Sequence, residues 1–227
     1  MSGATLGQRL GAEALGTAFL LAIVVGSGIM AERLSGGNVA VALIANTLAT
    51  GAGLVALILT FGPVSSHFNP VVTLMDAAQR QLPWREVPAY LCAQIGGGIV
   101  GVWATHLMFA VPVLQLSTKA RTGTAQMFAE FVATFGLLIV IASVARHRKE
   151  SIAVAVGCYI TAAYWFTAST SFANPAVTIA RSLSDSFAGI RWQDAPGFIL
   201  AQLVALVVAL LLATRLFQTE PSTARAN

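Results

Sequence analysis

Thr170-Ser171-Phe172-Ala173-Asn174-Pro175-Ala176-Val177-Thr178 decides how this chain folds, because Ser66-His67-Phe68-Asn69-Pro70-Val71-Val72-Thr73 echoes it upstream. In both stretches an Asn followed by a Pro divides a long apolar run from a short segment of helical composition. Asn caps a helix start because its side-chain oxygen accepts from an otherwise unpaired first-turn N–H. Pro suits the first helical position, where its missing donor costs nothing. Each Asn-Pro therefore reads as a helix start that leaves the Asn side-chain NH2 free to donate elsewhere. One such dipeptide also opens ordinary turns. Two in matched settings form a pattern.

The setting is a membrane. Of 227 residues, 56% are hydrophobic and only 10% charged, with mean hydropathy +0.77, where soluble domains carry about 25% charge. Apolar runs predict six spans: Leu10–Met30, Val39–Phe61, Pro88–Ala110, Thr124–Ala145, Ser151–Thr167 and Trp192–Phe217. The Asn-Pro segments, Asn69 to about Gln81 and Asn174 to about Phe187, are too short for a hydrocarbon core that takes roughly 20 helical residues. The polar tail 218–227 is expected to be disordered. Lys and Arg lie in short inter-span loops, which excludes nucleic-acid binding. Cys92 and Cys158 lie in apolar runs without metal-ligand spacing and read as small buried hydrophobes, and no motif calls for a cofactor or a metal.

The two halves repeat. Ala12-Glu13-Ala14-Leu15-Gly16-Thr17 matches Ala129-Glu130-Phe131-Val132-Ala133-Thr134, Asn69-Pro70 matches Asn174-Pro175, and Ala93-Gln94 matches Ala201-Gln202. The offsets of 117, 105 and 108 residues fit one duplicated unit, about 8–112 and about 124–217, within a single domain. Each unit has three spans, an odd number, so the second enters the membrane inverted. The expected fold is all-α: six transmembrane helices plus two re-entrant half-helices. With both termini inside, inner segments hold Arg9, Arg80, Arg85, Arg146, Arg148, Lys149, Arg215 and Arg225. Outer segments hold Arg33, Lys119, Arg121, Arg181 and Arg191. That excess favours cytoplasmic termini.

Half-helices entering from opposite faces bring Asn69 and Asn174 together near the midplane. Irregular backbone is tolerated at that depth only where it is buried in protein or lines a wet cavity. Two helix N-termini, each with about half a positive charge, repel cations there. The two Asn amides offer donors, and backbone carbonyls around 65–68 and 170–173 offer acceptors. Such a pore passes neutral hydrogen-bonding solutes and rejects cations.

With both boxes, the Ala-Glu-x-x-x-Thr openings and the Ala-Gln pairs in place, the chain from about Leu10 to Phe217 resembles the aquaporin family. The resemblance implies a passive channel in a homotetramer with one pore per subunit, in a bacterial inner membrane. It places Asn69 and Asn174 at the pore centre, with Pro70, Val71, Pro175 and Ala176 completing the boxes. The outer filter would be Ser171, Val177, Ala162, and Thr50 or Ala49. Two departures bear on the solute. Val71 replaces the usual Ala of the first box, and Val177 stands where most of the family has an arginine. A filter without arginine would be wider and less polar, favouring glycerol, urea or metalloid hydroxides over strict water selectivity. The Val after the second box is similar to AqpS-type channels of bacterial arsenic-resistance operons, which implies arsenite-like or methylated arsenic acids as cargo.

Glu13 and Glu130, acids inside apolar spans, are functional candidates. Either they carry protons in an inverted-repeat secondary transporter, or they accept backbone N–H groups and brace the pore loops. Gln94 and Gln202 read as hydrogen bonders between helices. His67 is placed at the inner vestibule, His106 reads as structural and His147 as solvated. Gly96-Gly97-Gly98 with Gly101 reads as a close helix contact. Asp76 with Arg80, and Arg181 with Asp185, have the i, i+4 spacing of surface ion pairs. An intramembrane protease would need a nucleophile and base on facing spans, and Ser66 beside His67 in one loop does not supply them.

Overall fold

The computed structural model describes residues 3–216; the expected disordered tail lies outside them. The first half folds as α1 (Leu6–Leu34), α2 (Val39–Phe61), the half-helix α3 (Pro70–Ala78) and α4 (Val87–Met108). The second folds as α5 (Thr124–His147), α6 (Ile152–Phe166), the half-helix α7 (Pro175–Arg181) and α8 (Ala195–Leu216). Contacts repeat between the halves: α1 packs on α2 and α4 as α5 packs on α6 and α8. Across the halves, α4 meets α7 as α8 meets α3, α2 lies against α6, and α3 touches α7. That is an inverted repeat closed around two short helices.

Five of these helices are long and apolar enough to cross a membrane. The fifth span is the short one. Its α-helix has 15 residues, preceded by a 3-10 turn at Lys149–Ser151. The half-helices are also shorter than the sequence predicts. α3 ends at Ala78 because Arg80 turns into the left-handed region (φ 62°). α7 ends at Arg181, followed by Ser182, whose Oγ donates back to the Ile179 carbonyl.

These early stops correct two expectations, and the packing of α4 and α6 corrects a third. Arg80 lies beyond α3, so Asp76 pairs with His67 instead, Nε2 to Oδ2 at 3.0 Å. Asp185 lies beyond α7 and accepts from the backbone N–H and hydroxyl of Thr118, each at 2.9 Å. Cys92 and Cys158 are exposed on the outer faces of α4 and α6 rather than buried. An apolar run on a membrane helix has no hydropathy contrast between core and lipid, so periodicity could not assign their side.

The glycines of α4 behave as read. A Cβ on Gly97 would lie 2.1 Å from the Ala14 carbonyl oxygen, and one on Gly101 2.1 Å from that of Ala18. α1 and α4 thus touch backbone to backbone over a full turn, as small residues allow in membranes. Gly97→Val should therefore destabilise by roughly 1–3 kcal/mol, lowering the melting midpoint in detergent by several degrees. Gly96→Ala, with nothing within 4 Å of its Cβ, should leave it unchanged. Equal midpoints for the two variants would contradict the close approach.

Candidate functional site

The site is built where the half-helices meet. Asn69 and Asn174 cap α3 and α7: Asn69 Oδ1 accepts from Val71 N at 3.1 Å, and Asn174 Oδ1 accepts from Ala176 N and Val177 N at 3.0 and 3.2 Å. Their amides cross. Asn69 Nδ2 donates to the Ala173 carbonyl at 2.8 Å, and Asn174 Nδ2 donates to the Phe68 carbonyl at 2.7 Å. Each accepting carbonyl belongs to the residue just before the other Asn, held left-handed at φ 51° for Phe68 and 48° for Ala173. Non-glycine residues in that conformation cost of order 1–3 kcal/mol and need surrounding bonds to hold them. This corrects the reading of free amide groups. An Asn amide has two N–H donors, and one on each Asn is committed to pinning the tips together.

Two buried carboxylates hold those strained turns. Glu13 accepts from Ser65 Oγ and His67 N through Oε1, at 2.6 and 2.7 Å, and from Phe68 N and Gln94 Nε2 through Oε2, at 2.7 and 2.8 Å. Glu130 accepts from Phe172 N at 2.8 Å, and from Ala173 N and Gln202 Nε2 at 2.8 and 2.7 Å. Gln94 and Gln202 each add a bond to the half-helix, to Thr73 Oγ1 at 2.9 Å and Thr178 Oγ1 at 3.0 Å. Both acids are fully buried.

A cavity of about 530 Å³ runs past this junction. On the side of the chain termini, called the inner end below, it has His67, Asp76, Arg146 and Lys149; its waist has Asn69 and Asn174, and the opposite, outer end has Thr50, Tyr164, Ser171, Phe172, Val177 and Arg181. One wall is apolar, with Leu54, Ile58, Leu137, Ile141, Val156 and Ile160. Neither Glu13 nor Glu130 lines it. Polar groups down one side and hydrocarbon on the other let a solute exchange hydrogen bonds without being held.

The chemistry of this junction agrees with similarity to known proteins. The model of the major intrinsic protein family matches residues 2–152. The chain belongs to that family. Family members are channels rather than enzymes, and the protein is an integral membrane channel. It is 51% identical to "Aquaglyceroporin AqpS" of Rhizobium meliloti (strain 1021), over 96% of this chain and 97% of that one. It is 32% identical to "Aquaporin NIP3-1" of Oryza sativa subsp. japonica over 69% of this chain but 52% of the plant protein. The X-ray structure of the aquaglyceroporin from Plasmodium falciparum superposes with a TM-score of 0.68 at 21% identity, covering 94% of this chain and 96% of that one, so the fold is the aquaporin fold.

Within this major intrinsic protein, the outer end departs from the expected set in two ways. Ala162 is exposed on the outward side of α6, with Trp165 and Phe166. Val156, Ile160 and Tyr164, spaced i, i+4, face the cavity instead. Between the two alternatives on α2, Thr50 lines the cavity, its Oγ1 3.3 Å from the Tyr164 hydroxyl. The second departure is larger. Val177 does line the cavity, but so does Arg181, so the outer end is not free of arginine. Arg181 is 1% exposed, its guanidinium stacked on the Phe172 ring at 3.4 Å and its Nε donating to the Ala188 carbonyl. Arg181 follows Val177 by four residues, and helix side chains lean back over the preceding turn. That spacing was the signal in the sequence that would have found it.

The loops above add positive charge. Burial, then the nearby charge of Arg181, pulls the Arg121 guanidinium down to about 9, so it remains cationic at neutral pH. Burial, then Arg121, also lowers the Lys119 ammonium.

Proposed function

We infer that the chain conducts water and small neutral, hydroxyl-bearing solutes of glycerol size passively through this cavity. The observation that carries the inference is the crossed Asn69–Asn174 junction exposed to a cavity with one polar and one apolar wall. The second N–H of each amide is available to a passing oxygen, and two convergent helix N-termini disfavour cations. The relative named an aquaglyceroporin supports solutes larger than water. Urea and metalloid hydroxides such as arsenite, and methylated arsenic acids, share the small hydrogen-bonding character this lining accepts. We place the channel in a bacterial plasma membrane as a homotetramer with cytoplasmic termini, each subunit a single domain of two repeats with its own pore. Glu13, Glu130, Gln94 and Gln202 act as loop braces, His67 lines the inner vestibule, and Thr50, Ser171 and Val177 form part of the outer filter.

The test is stopped-flow light scattering on proteoliposomes with water, glycerol, urea and arsenite. Flux should rise linearly with solute concentration, with a low activation energy and no response to a proton gradient. A proton-coupled transporter working through Glu13 and Glu130 would instead saturate and accumulate solute uphill. That outcome would overturn the channel.

A further inference from the structure

We propose that the outer end of the cavity is a binding site for small oxyanions, centred on Arg181. The functional consequence rests on the channel reading above; the existence of the site does not. Arg181 is a buried cation with no ion-pair partner: the buried Glu130 attracts it at longer range, but its oxygens are committed to Phe172 N, Ala173 N and Gln202 Nε2. Among the described residues no carboxylate lies within ion-pair distance of it. Its neighbours are a ring face, the Ala188 carbonyl and the Tyr164 hydroxyl, all neutral. A guanidinium keeps its proton in proteins and presents five N–H donors in a fork that matches paired oxygens. Burying such a charge unpaired is unfavourable, and an arriving anion relieves that penalty.

Two further observations point to the same ligand chemistry. Ser171, 3% exposed and lining the cavity, has a buried Oγ with no hydrogen-bond partner. Arg121 faces the same Phe172 ring as Arg181, at 5.0 Å, and its side chain donates only to the neutral Gly189 carbonyl, Ser169 carbonyl and Thr170 hydroxyl. One aromatic ring thus carries two guanidinium groups with no carboxylate in ion-pair contact with either side chain, and Glu130 attracts both only at longer range. Asp194, the nearby acid, binds the Arg121 backbone N–H and pairs with Arg191. Charge-assisted, forked contacts to carboxylate- or phosphate-like oxygens are what this arrangement favours.

The duller role for Arg181 is a brace tying the outer loop at Ala188 to α7. Binding separates the two roles. Methylphosphonate should bind the purified full-length protein saturably in isothermal titration calorimetry at low salt. Arg181→Gln should weaken that binding roughly tenfold or more, the loss of one charge-assisted contact. Arg181→Lys should fall between them. If Arg181→Gln does not fold, Ser171→Ala decides, with affinity expected to drop about threefold for one neutral hydrogen bond. No binding to the unmodified protein, or unchanged affinity in the variant that folds, overturns the site. In proteoliposomes the same compound should slow glycerol flux through the unmodified channel and not through Arg181→Gln. Binding without inhibition would remove the site from the conduction path. Absent glycerol flux with binding intact would sink the channel reading and leave the site.

Discussion

Glu130→Leu should abolish glycerol flux and remove much of the stability of the folded channel. The substitution keeps the side chain's bulk and deletes three accepted hydrogen bonds, from Phe172 N, Ala173 N and Gln202 Nε2. Two backbone N–H groups are left buried with no alternative acceptor, each at about 1–3 kcal/mol, against a total of about 5–15 kcal/mol for a typical fold. The damage also propagates. Ala173 holds its left-handed turn only while Glu130 binds its N–H, and that turn aims the carbonyl accepting from Asn69 Nδ2. Losing it unpins the two half-helices. Glu130→Gln keeps the shape and one acceptor oxygen, so it should retain part of both stability and flux. Thermal unfolding in detergent together with proteoliposome flux checks the ranking, which is falsified if Glu130→Leu melts and conducts like the unmodified protein. Glu13→Leu removes the equivalent bonds on the other half and should match it in both readouts.

The central architecture was legible in the sequence because it follows from local rules and arithmetic. Asn-Pro fixes a helix start whatever surrounds it, and three spans per repeat force the inversion. For Glu13 and Glu130 the sequence left two readings open, proton carrier or loop brace; the structure places backbone N–H donors of the neighbouring turns on both carboxylates, as an acid in an apolar helix demands. What failed depended on rotation about a helix axis. Ala162 was assigned by position relative to a family pattern, whereas α6 presents the row Val156, Ile160 and Tyr164 to the cavity. Membrane helices are apolar all round, so no polar stripe was available to correct the register. Arg181 was paired with Asp185 on spacing that only a continuous helix would support, and α7 stops at Arg181 itself. The crossed amides were hidden for another reason. They link residues more than a hundred apart, and no local signal announces that a carbonyl preceding one Asn is aimed at the other.

That relocated arginine sharpens what Val177→Arg should do. In a passage whose outer end held no cation, the substitution would restore a donor and narrow the gate. Here it places a second guanidinium one turn from the first on the same helix face. At a separation of ~6 Å and an effective dielectric of ~20, two like charges repel by about 3 kcal/mol. Phe172 is already stacked with Arg181, so the new side chain has to extend into the cavity. Glycerol flux should fall by about tenfold or more for each 1.4 kcal/mol added to its barrier. Water flux should fall less, because water needs a smaller opening. Val177→Arg combined with Arg181→Ala removes the repulsion and should recover water flux fully, while glycerol stays slower than in the unmodified protein. Parallel stopped-flow measurements of both solutes on the single and double variants decide between electrostatic and steric closure. Equal losses for water and glycerol in the single variant would mean that Val177 does not border the narrow part of the path. A double variant no better than the single one would mean that Arg181 does not share its space.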